Sequence, residues 1–307
     1  MGVKGLYTYL RPYRRDIYPQ DGKGSAQPPL RIGFDAMSIL YKYKGAYADL
    51  YPILSALKAQ GNRLLFVFDG KPPVEKEEEV AARKEARQEA VAQAAAIKEH
   101  LAATDVGTGP TSERERKILE LSAARLEFQG WHMTRDVRHA FQKALWDMEI
   151  PYVKALGEAD DVLVDMAAAG KLDVVVSTDM DFLLSGVQRL WIPFRKLADG
   201  FEEVELWNLL EGEGLSPAAL CDAGILCGVE PLRGQLSFGA HKAFEWMRYY
   251  QSIEALLASS VREAQLGVLQ EEGRLAVVRD HFKAKEPWVA RIRPDHFERF
   301  RDFLEAL

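Results

Sequence analysis

The chain has 307 residues, enough for a buried core, and its 48% hydrophobic and 28% charged residues are typical of a soluble globular protein. No apolar run approaches the roughly 20 residues of a membrane-spanning helix, and we expect no signal peptide and no membrane partner. The net charge of −6 does not favour general nucleic-acid binding, so such a function would depend on local basic patches.

Short apolar runs predict five strands, in chain order over residues 30–36, 63–70, 150–155, 172–179 and 189–194. Nearly continuous apolar strands are typical of a parallel sheet that is buried on both faces. Helical patterns lie between them over residues 38–60, 135–147 and 158–169. The alternation predicts an α/β fold with a mostly parallel central sheet and helices on both faces.

Two regions interrupt this alternation. Residues 75–103 are rich in Ala, Glu, Arg and Lys, which favour helix, and a second helical stretch begins at Glu113 after the breaker segment TDVGTGPTS. These features predict a helical insertion that leaves the sheet and returns. From Leu215 onward the chain is predicted to be mostly helical. Cys221 and Cys227 lack metal-type spacing and are interpreted as buried free thiols of a reducing, intracellular compartment.

Acidic residues follow the apolar part of four predicted strands. They are Asp35, Asp69, Glu158, Asp160, Asp179 and Asp181. Parallel strands bring their carboxyl ends to one edge of the sheet, where open α/β folds bind ligands. Crowded carboxylates raise one another's pKa, and divalent cations such as Mg²⁺ relieve that repulsion. A helix cap or a turn would explain a single acid after a strand. Several acids at the same end of neighbouring strands instead predict a metal site.

Two divalent ions about 4 Å apart can activate water and stabilise a leaving oxygen in phosphodiester cleavage. The chemistry of the acidic cluster is therefore compatible with a nuclease. Three further acids in this region are interpreted differently. Asp161 is expected to cap a helix, Asp165 to lie on a solvated helix face and Asp173 to lie in a turn.

Several blocks of the sequence resemble the flap endonuclease family of structure-specific 5′ nucleases, which includes the xeroderma pigmentosum group G nuclease. MGVKGLYTYL is similar to the opening motif of the family, and FDAMSILY and VFDGKPP to its aspartate motifs. IPYVKALGEADD and STDMDFLLSG resemble its two later acidic blocks, and YYQSIEALL resembles the helix after its helix–two-turn–helix. The order holds from Met1 to about Leu257. The resemblance implies a PIN-like nuclease core and two Mg²⁺ ions, which Mn²⁺ can replace.

The resemblance also implies roles for individual residues. The six acids above correspond to metal-binding carboxylates, with Asp160 in place of the usual Glu. Glu230, in LCGVE, stands where the family has a metal-binding Asp. Lys76 and Arg83 match a basic pair that draws the scissile phosphate to the metals, although a solvated helix would also explain them.

Further residues are assigned to nucleic-acid binding. They are Gly2, Lys4, Tyr41, Arg135, Gly239, His241 and Lys242. Tyr41 matches a tyrosine that stacks on a base, an interaction worth roughly 1–3 kcal/mol, and a core tyrosine is the alternative. His241 and Lys242 match a turn that contacts the duplex backbone, and a solvated helix start explains them equally well.

Two departures from the family pattern concern the substrate. The segment between Asp35 and Asp69 is shorter than in typical members. In the family this segment carries the pocket for a 3′ flap, so the resemblance does not extend to 3′-flap recognition. LSFGAHKA replaces the glycine-rich turn that binds a monovalent cation, so a cation site is not favoured. The sequence shows no evident sliding-clamp motif, and we expect a monomer.

The predicted organisation is a single nuclease domain with five parts. These are an N-terminal nuclease segment (1–74), a helical arch insertion (75–133), an internal nuclease segment (134–214), a helix–two-turn–helix-like DNA-binding region (215–262) and a C-terminal helical extension (263–307). The leading function is cleavage of branched or flapped DNA. RNA is the second possible substrate, in an endoribonuclease acting on mRNA, and a catalytically silent scaffold binding RNA or protein is the third reading. A nuclear location is expected if the source is eukaryotic.

Overall fold

The computed structural model describes residues 3, 5–19, 28–44, 46–71, 77–103, 112–194, 200–232, 235–236, 238–261, 263–284, 287–293, 300–301 and 303–304. At residues 77–79 and 230 the description is limited to the backbone. Among the helices of these ranges, none combines the length and the apolar character that crossing a membrane requires.

A mostly parallel sheet organises the described chain. Its strands are β1 (Arg14–Ile17), β2 (Arg31–Asp35), β3 (Arg63–Phe68), β4 (Tyr152–Lys154), β5 (Val174–Val176), β6 (Arg189–Pro193) and β7 (Phe201–Glu205). Their order across the sheet is β1-β7-β6-β5-β2-β3-β4. β2 pairs in parallel with β3 and β5, β3 with β4, and β5 with β6. The five predicted strands are therefore confirmed, and their carboxyl ends share one edge.

Helices cover both faces of this sheet and extend beyond it. They are α1 (Leu6–Tyr9), α2 (Ala36–Lys42), α3 (Leu50–Ala59), α4 (Glu77–Ala103), α5 (Glu113–Gly130), α6 (Arg135–Asp147), α7 (Ala159–Ala168), α8 (Asp181–Leu184), α9 (Leu206–Glu213), α10 (Pro217–Gly228), α11 (Ala240–Tyr250), α12 (Ile253–Ala258) and α13 (Arg274–Asp280). The helix predicted over residues 38–60 is wrong as a single element, because a 3-10 turn at Tyr47–Asp49 separates α2 from α3. Pro52 can lie only in the first turn of α3, where a proline costs no helical hydrogen bond.

Each face of the sheet has its own apolar core. Alternation along β3 sends Leu64 and Phe66 into one cluster and Leu65 and Val67 into the other. The first cluster is closed by α2, α3 and α6, and the second by α7 and the helices of the C-terminal half. The strand ends therefore lie between two packed layers.

The antiparallel edge formed by β1 and β7 was not predicted. β7 pairs antiparallel with β6 and with β1. Glu203 of β7 is only 1% exposed, and its carboxylate accepts hydrogen bonds from Trp191 Nε1 (2.9 Å) and Arg189 Nε (2.8 Å) and pairs with Arg15. Because β7 has the sequence FEEVE, with a buried acid in the middle, it lacks the apolar run by which the other strands were predicted.

The insertion forms a pair of packed helices, as predicted for the arch. α4 and α5 lie along each other, with an ion pair between Lys98 and Glu127. They approach each other closely at Gly130, where an added Cβ would lie 2.5 Å from Val91 Cγ2 and 3.2 Å from the Arg87 carbonyl oxygen. Glycine at this position therefore favours the close contact at the base of the pair.

Charged groups hold the C-terminal helices together. Asp222 of α10 is 1% exposed and accepts hydrogen bonds from the Ile253 backbone N–H (2.9 Å) and from Arg279 Nε (2.7 Å). Arg279 also pairs with Glu254 at 2.5 Å, which joins α10, α12 and α13. Both cysteines are free thiols, as predicted, although Cys221 is only partly buried.

Candidate active site

Asp35 is the most buried of the six strand-end acids, with 6% exposure. Its oxygens accept hydrogen bonds from the Ser38 backbone N–H (2.9 Å) and the Ser177 hydroxyl (2.9 Å). The carboxylate therefore links the start of α2 to the end of β5. Burial, and then the charge of Asp69, raise the pKa of Asp35 to about 7.

Asp69 follows β3 and fixes the beginning of α7. Its Oδ1 accepts a hydrogen bond from the Ala159 backbone N–H at 2.8 Å, so this acid caps a helix from another segment of the chain. The loops are drawn together by the bond from Gly70 N–H to the Gly157 carbonyl at 2.6 Å. An added Cβ at Gly70 would lie 2.1 Å from the Ala155 carbonyl oxygen. A glycine is thus required where these two strand ends meet.

Asp179 and Asp181 leave the end of β5 in a short hydrogen-bonded turn. The Asp179 backbone N–H donates to Ser177 Oγ (3.1 Å), and the Asp181 N–H donates to Asp179 Oδ1 (3.0 Å). Asp181 Oδ1 also accepts from the Val3 backbone N–H at 3.2 Å. Burial, and then the Asp179 carboxylate, raise the pKa of Asp181 well above its usual value.

Asp160 connects the acids of all four strand ends electrostatically. Its pKa is raised by burial and then by the charges of Asp35, Asp179, Asp69 and Glu158, in that order. Because these charges act on one carboxyl group, the predicted convergence at the sheet edge is present in the fold. The whole-residue surface of Asp160 is intermediate rather than buried, so part of this group still faces the cleft.

This donor set suits a hard divalent cation. Carboxylate oxygens are the ligands that Mg²⁺ and Mn²⁺ prefer, and three of the six groups have a raised pKa because they are buried close together. In the described residues, no three acidic, histidine or cysteine side chains already surround a single metal position. Binding of ions would therefore require side-chain reorientation, which the partly exposed acids permit.

The acids open into a cleft with walls from two parts of the chain. The residues that line it include Glu158, Asp160, Asp179 and Asp181 from the strand ends, and His281, Phe282 and Lys283 from the C-terminal part of the chain. Asp161 and Asp165 of α7 also line this cleft.

The interpretations of Asp161 and Asp165 were wrong. Asp161 does not cap α7, because the cap is Asp69, and it pairs instead with Arg291 at 2.8 Å. Asp165 is 5% exposed rather than solvated, and its Oδ2 lies 3.2 Å from Arg291 Nε. Asp173 precedes β5 as expected, where it pairs with Arg31 at 2.6 Å.

Several predicted site residues lie outside the described part of the chain. These are Gly2, Lys4, Lys76 and the side chain of Glu230. The backbone of Glu230 begins a 3-10 turn, Glu230–Leu232, directly after α10. The assignments of these four residues stay predictions.

Tyr41 lies in an aromatic and basic cluster at the base of the helical insertion. Its ring meets Trp131 edge-on, with centroids 5.7 Å apart, and the Arg87 guanidinium lies 5.2 Å from its centroid. Lys44 Nζ lies 4.6 Å from the centroid of Phe128, which is 56% exposed. Burial and then the charge of Arg87 lower the pKa of Lys44. α2, α4 and α5 thus present rings and cations together.

Arg83 lies on α4, one turn before Arg87, and is half-buried. Because side chains at i and i+4 share a helix face, Arg83 lies on the side of α4 that meets Tyr41. Arg135 is exposed at the first residue of α6.

The predicted duplex-binding residues lie around the start of α11. Gly239 has φ −66° and open space around its Cβ position, so the fold does not require glycine there. His241 is exposed and meets Tyr9 edge-on at 4.9 Å. Lys242 Nζ lies 4.7 Å from the centroid of Trp246 and 2.5 Å from Glu263. This ion pair gives Lys242 a structural role beside the predicted one.

Sequence reasoning missed the serine and threonine residues next to the acids, of which Ser177 donates its hydroxyl to Asp35. Ser38 Oγ lies 2.6 Å from Thr178 Oγ1 and accepts from the Thr178 backbone N–H at 2.9 Å. With Ser177, these residues connect α2 to the end of β5. Their positions within FDAMS and STDMD were the available signal, since each serine or threonine is within three residues of a predicted ligand.

Comparisons with known proteins agree with this geometry. The family model XPG I-region matches residues 149–230. Flap endonuclease 1-B of Physcomitrium patens is 31% identical over 281 residues, which cover 84% of this chain and 75% of that protein. Flap endonuclease 1 of Methanothrix thermoacetophila is 32% identical over 271 residues, covering 83% of this chain and 70% of that protein.

Solved structures show the same fold. The catalytic core of Rad2 (complex I) matches with a TM-score of 0.60 at 16% identity, covering 99% of this chain and 93% of that one. Flap endonuclease-1 from Methanococcus jannaschii matches with a TM-score of 0.55 at 21% identity, covering 93% and 85%. The PIN-like core with an inserted helical pair is thereby confirmed. Since two relatives above 30% identity are matched over more than two thirds of their length, the chain belongs to the flap endonuclease family of nucleases.

Proposed function

We propose that the chain is a metal-dependent, structure-specific 5′ nuclease that hydrolyses phosphodiester bonds of DNA near junctions of single-stranded and duplex segments. The observation that carries the proposal is the convergence of carboxylates from four parallel strand ends around Asp160. Four of the six acids line one cleft: Glu158, Asp160, Asp179 and Asp181. Carboxyl groups whose pKa is raised in the fold oppose folding when they are charged. The cluster is therefore better explained by cation binding than by a structural role, which also argues against a silent scaffold.

The proposed cofactors are two Mg²⁺ ions, replaceable by Mn²⁺. The residues that would hold them are Asp35, Asp69, Glu158, Asp160, Asp179 and Asp181, with Glu230 as a further candidate. The chemistry that two such ions supply is Lewis-acid activation of water and stabilisation of charge on the leaving oxygen.

The protein groups around the acids set their orientation. Ser38 and Ser177 fix both oxygens of Asp35, and the Ala159 backbone N–H fixes one oxygen of Asp69. Hydrogen bonds of this kind hold ligand carboxylates in one rotamer and tune their basicity. The fold thus prepares part of the carboxylate set before any cation arrives.

The helical insertion would guide the substrate. Arg83, and Lys76 by its place in the sequence, are proposed to attract the scissile phosphate, for which Arg and Lys are the usual partners. Tyr41 is proposed to stack on an unpaired base beside Arg87, in a cluster that combines rings with positive charge. Exposed Arg135 and the start of α11 are proposed as duplex contacts.

We propose DNA as the substrate because the matched relatives are named flap endonucleases. The acids of the proposed site all come from one chain, so we further propose that the protein acts as a monomer.

The test of this function is a panel of end-labelled substrates at equal concentration. It contains a 5′-flap DNA, the same flap made of RNA, a 3′-flap DNA, the linear duplex and the single strand. We expect Mg²⁺-dependent cleavage of the 5′-flap DNA near its junction, and none in EDTA. Preferential cleavage of the RNA flap would replace DNA by RNA as the substrate, and equal cleavage of all five would contradict structure specificity.

A further inference from the structure

The C-terminal segment packs directly on the chain that leads into α7. The Leu156 backbone N–H donates to the Arg291 carbonyl at 2.7 Å, and the Arg293 N–H donates to the Lys154 carbonyl at 2.8 Å. An antiparallel bridge lies between these two bonds. Trp288–Arg291, a 3-10 helix, contacts α7 itself. A segment distant in sequence therefore supports the loop that carries Glu158.

The Arg291 side chain reaches two acids on one face of α7. Its terminal nitrogen lies 2.8 Å from Asp161 Oδ2, and its Nε lies 3.2 Å from Asp165 Oδ2. The Arg291 and Asp165 side chains are 19% and 4% exposed, whereas Asp161 is 38% exposed at the cleft. One guanidinium thus forms ion pairs with two carboxylates that are one helical turn apart, and the contact with Asp165 is an ion pair without a hydrogen bond.

This arrangement bears on the metal-binding acids because Asp161 directly follows Asp160. Carboxylates at i and i+4 of a helix repel each other, and a buried carboxylate without its cation is costly. Loss of the guanidinium would leave the Asp161 carboxylate, which already lines the cleft, without this ion pair and would leave Asp165 buried without this charge. Both effects act on the helical turn that orients Asp160.

We propose that Arg291 is a positioning residue of the metal site, acting through Asp161 and Asp165 to fix the first turn of α7. The inference rests on the proposed function, since it assumes that Asp160 and Glu158 hold divalent ions. The C-terminal segment is thereby part of the active site rather than an appendage to it.

The test measures binding of Mn²⁺ alone by electron paramagnetic resonance, without DNA. Arg291→Met is expected to weaken Mn²⁺ binding about tenfold, the effect usual for residues that orient metal ligands. Arg291→Lys, which keeps the charge but loses the two-pronged geometry, is expected to fall between this variant and the parent protein. Cleavage of 5′-flap DNA should then require correspondingly more Mg²⁺.

A double-mutant cycle shows whether Arg291 acts through its partner. Asp161→Asn is expected to weaken Mn²⁺ binding less than Arg291→Met does, and adding it to Arg291→Met should cause no further loss of Mn²⁺ affinity, because the two changes interrupt one interaction. Additive effects would show that Arg291 acts without Asp161 and would overturn the proposal.

Arg279→Met is the matched control, because Arg279 also binds two carboxylates and is 29% exposed. It should lower the unfolding temperature without changing Mn²⁺ affinity. Equal losses of affinity in both variants would reduce the role of Arg291 to general stability. If Arg291→Met does not fold, the same double-mutant cycle is measured with Arg291→Lys. The Mn²⁺ affinities of Arg291→Lys with and without Asp161→Asn then test whether Arg291 acts through Asp161.

The parent protein separates this inference from the proposed function. Suppose that the parent protein binds Mn²⁺ and cleaves DNA, and that Arg291→Met and Arg291→Lys bind Mn²⁺ with the same affinity. This result would overturn the inference about Arg291 but not the proposed function. A parent protein that binds no Mn²⁺ and cleaves nothing would overturn both.

Discussion

Asp35 gives a prediction about pH, because burial and then Asp69 raise its pKa from 3.8 to about 7. Between these values the folded state binds more protons than the unfolded state, so the free energy of unfolding falls as pH rises through this window. A single such group contributes a slope of at most ~1.4 kcal/mol per pH unit. Asp160 and Asp181 shift in the same direction. Urea denaturation in EDTA should therefore show greater stability at about pH 5 than at about pH 7.5.

The Asp35→Asn variant is the control for this titration. It keeps a side chain of the same shape that cannot ionise, so the slope between these pH values should be smaller than in the parent protein. An unchanged slope would show that Asp35 titrates at its ordinary pKa and that the acids are less crowded than the fold indicates.

Gly70 gives a prediction about stability at the junction of two strand ends. In Gly70→Ala, the new methyl group would meet the Ala155 carbonyl oxygen at 2.1 Å, and the backbone would have to move. We expect the free energy of unfolding to fall by roughly 1–3 kcal/mol. Gly239→Ala is the matched control, since its Cβ position is open, and it should change stability by less than about 0.5 kcal/mol. Equal effects would contradict the close approach at Gly70.

At the residue scale, the strand-end acids were predictable and their partners were not. Asp35, Asp69 and Asp179 each follow an apolar run, so their common edge followed from the parallel strands alone. The pairing of Asp161 and Asp165 with Arg291 joins positions more than 120 residues apart in sequence. No local pattern marks such a contact, because its geometry depends on how the C-terminal segment packs.

At the scale of elements, the cluster of Tyr41, Arg87 and Trp131 gives a prediction about substrate binding. Tyr41→Ala should raise the dissociation constant for 5′-flap DNA about tenfold, from the loss of base stacking. Tyr41→Phe should retain most of the affinity. Fluorescence anisotropy measures both dissociation constants, with Ca²⁺ in place of Mg²⁺ to limit cleavage during the measurement.

Trp207→Ala supplies the comparison for Tyr41, because Trp207 is a 64% exposed aromatic residue on another helix. It should leave the dissociation constant unchanged. If Tyr41→Ala lowers the unfolding temperature but not the affinity, Tyr41 is a packing residue, which is the alternative that its contact with Trp131 supports.

The elements were predictable where they are apolar and continuous. β2, β3, β5 and β6 and the long α4 match the expectations from sequence within a few residues. β1, with the sequence RRDI, and β7, with FEEVE, were missed because their charges are neutralised by pairs across the antiparallel edge. Pro52 was the available signal for the break between α2 and α3. The apolar periodicity on both sides of it nevertheless favoured a single helix.

At the scale of the whole molecule, cation binding should stabilise the fold. A ligand that binds only the folded state at 100 times its dissociation constant adds about 2.7 kcal/mol. Saturating Mn²⁺ should therefore raise the unfolding temperature of the parent protein. The Asp179→Ala/Asp181→Ala variant should show little of this increase. An equal increase in both proteins would place the bound ions elsewhere.

The measurement that tests the central claim most directly is single-turnover cleavage of 5′-flap DNA by three proteins in Mg²⁺. These are the parent protein, Asp179→Ala/Asp181→Ala, and a control of equal charge change at exposed sites, Asp147→Ala/Glu211→Ala. We predict that the parent and the control cut near the junction at similar rates, and that the first variant binds the DNA without cutting it. Equal cleavage by all three proteins, or none by the parent protein in either Mg²⁺ or Mn²⁺, would contradict the assignment of the acidic cleft as a nuclease site.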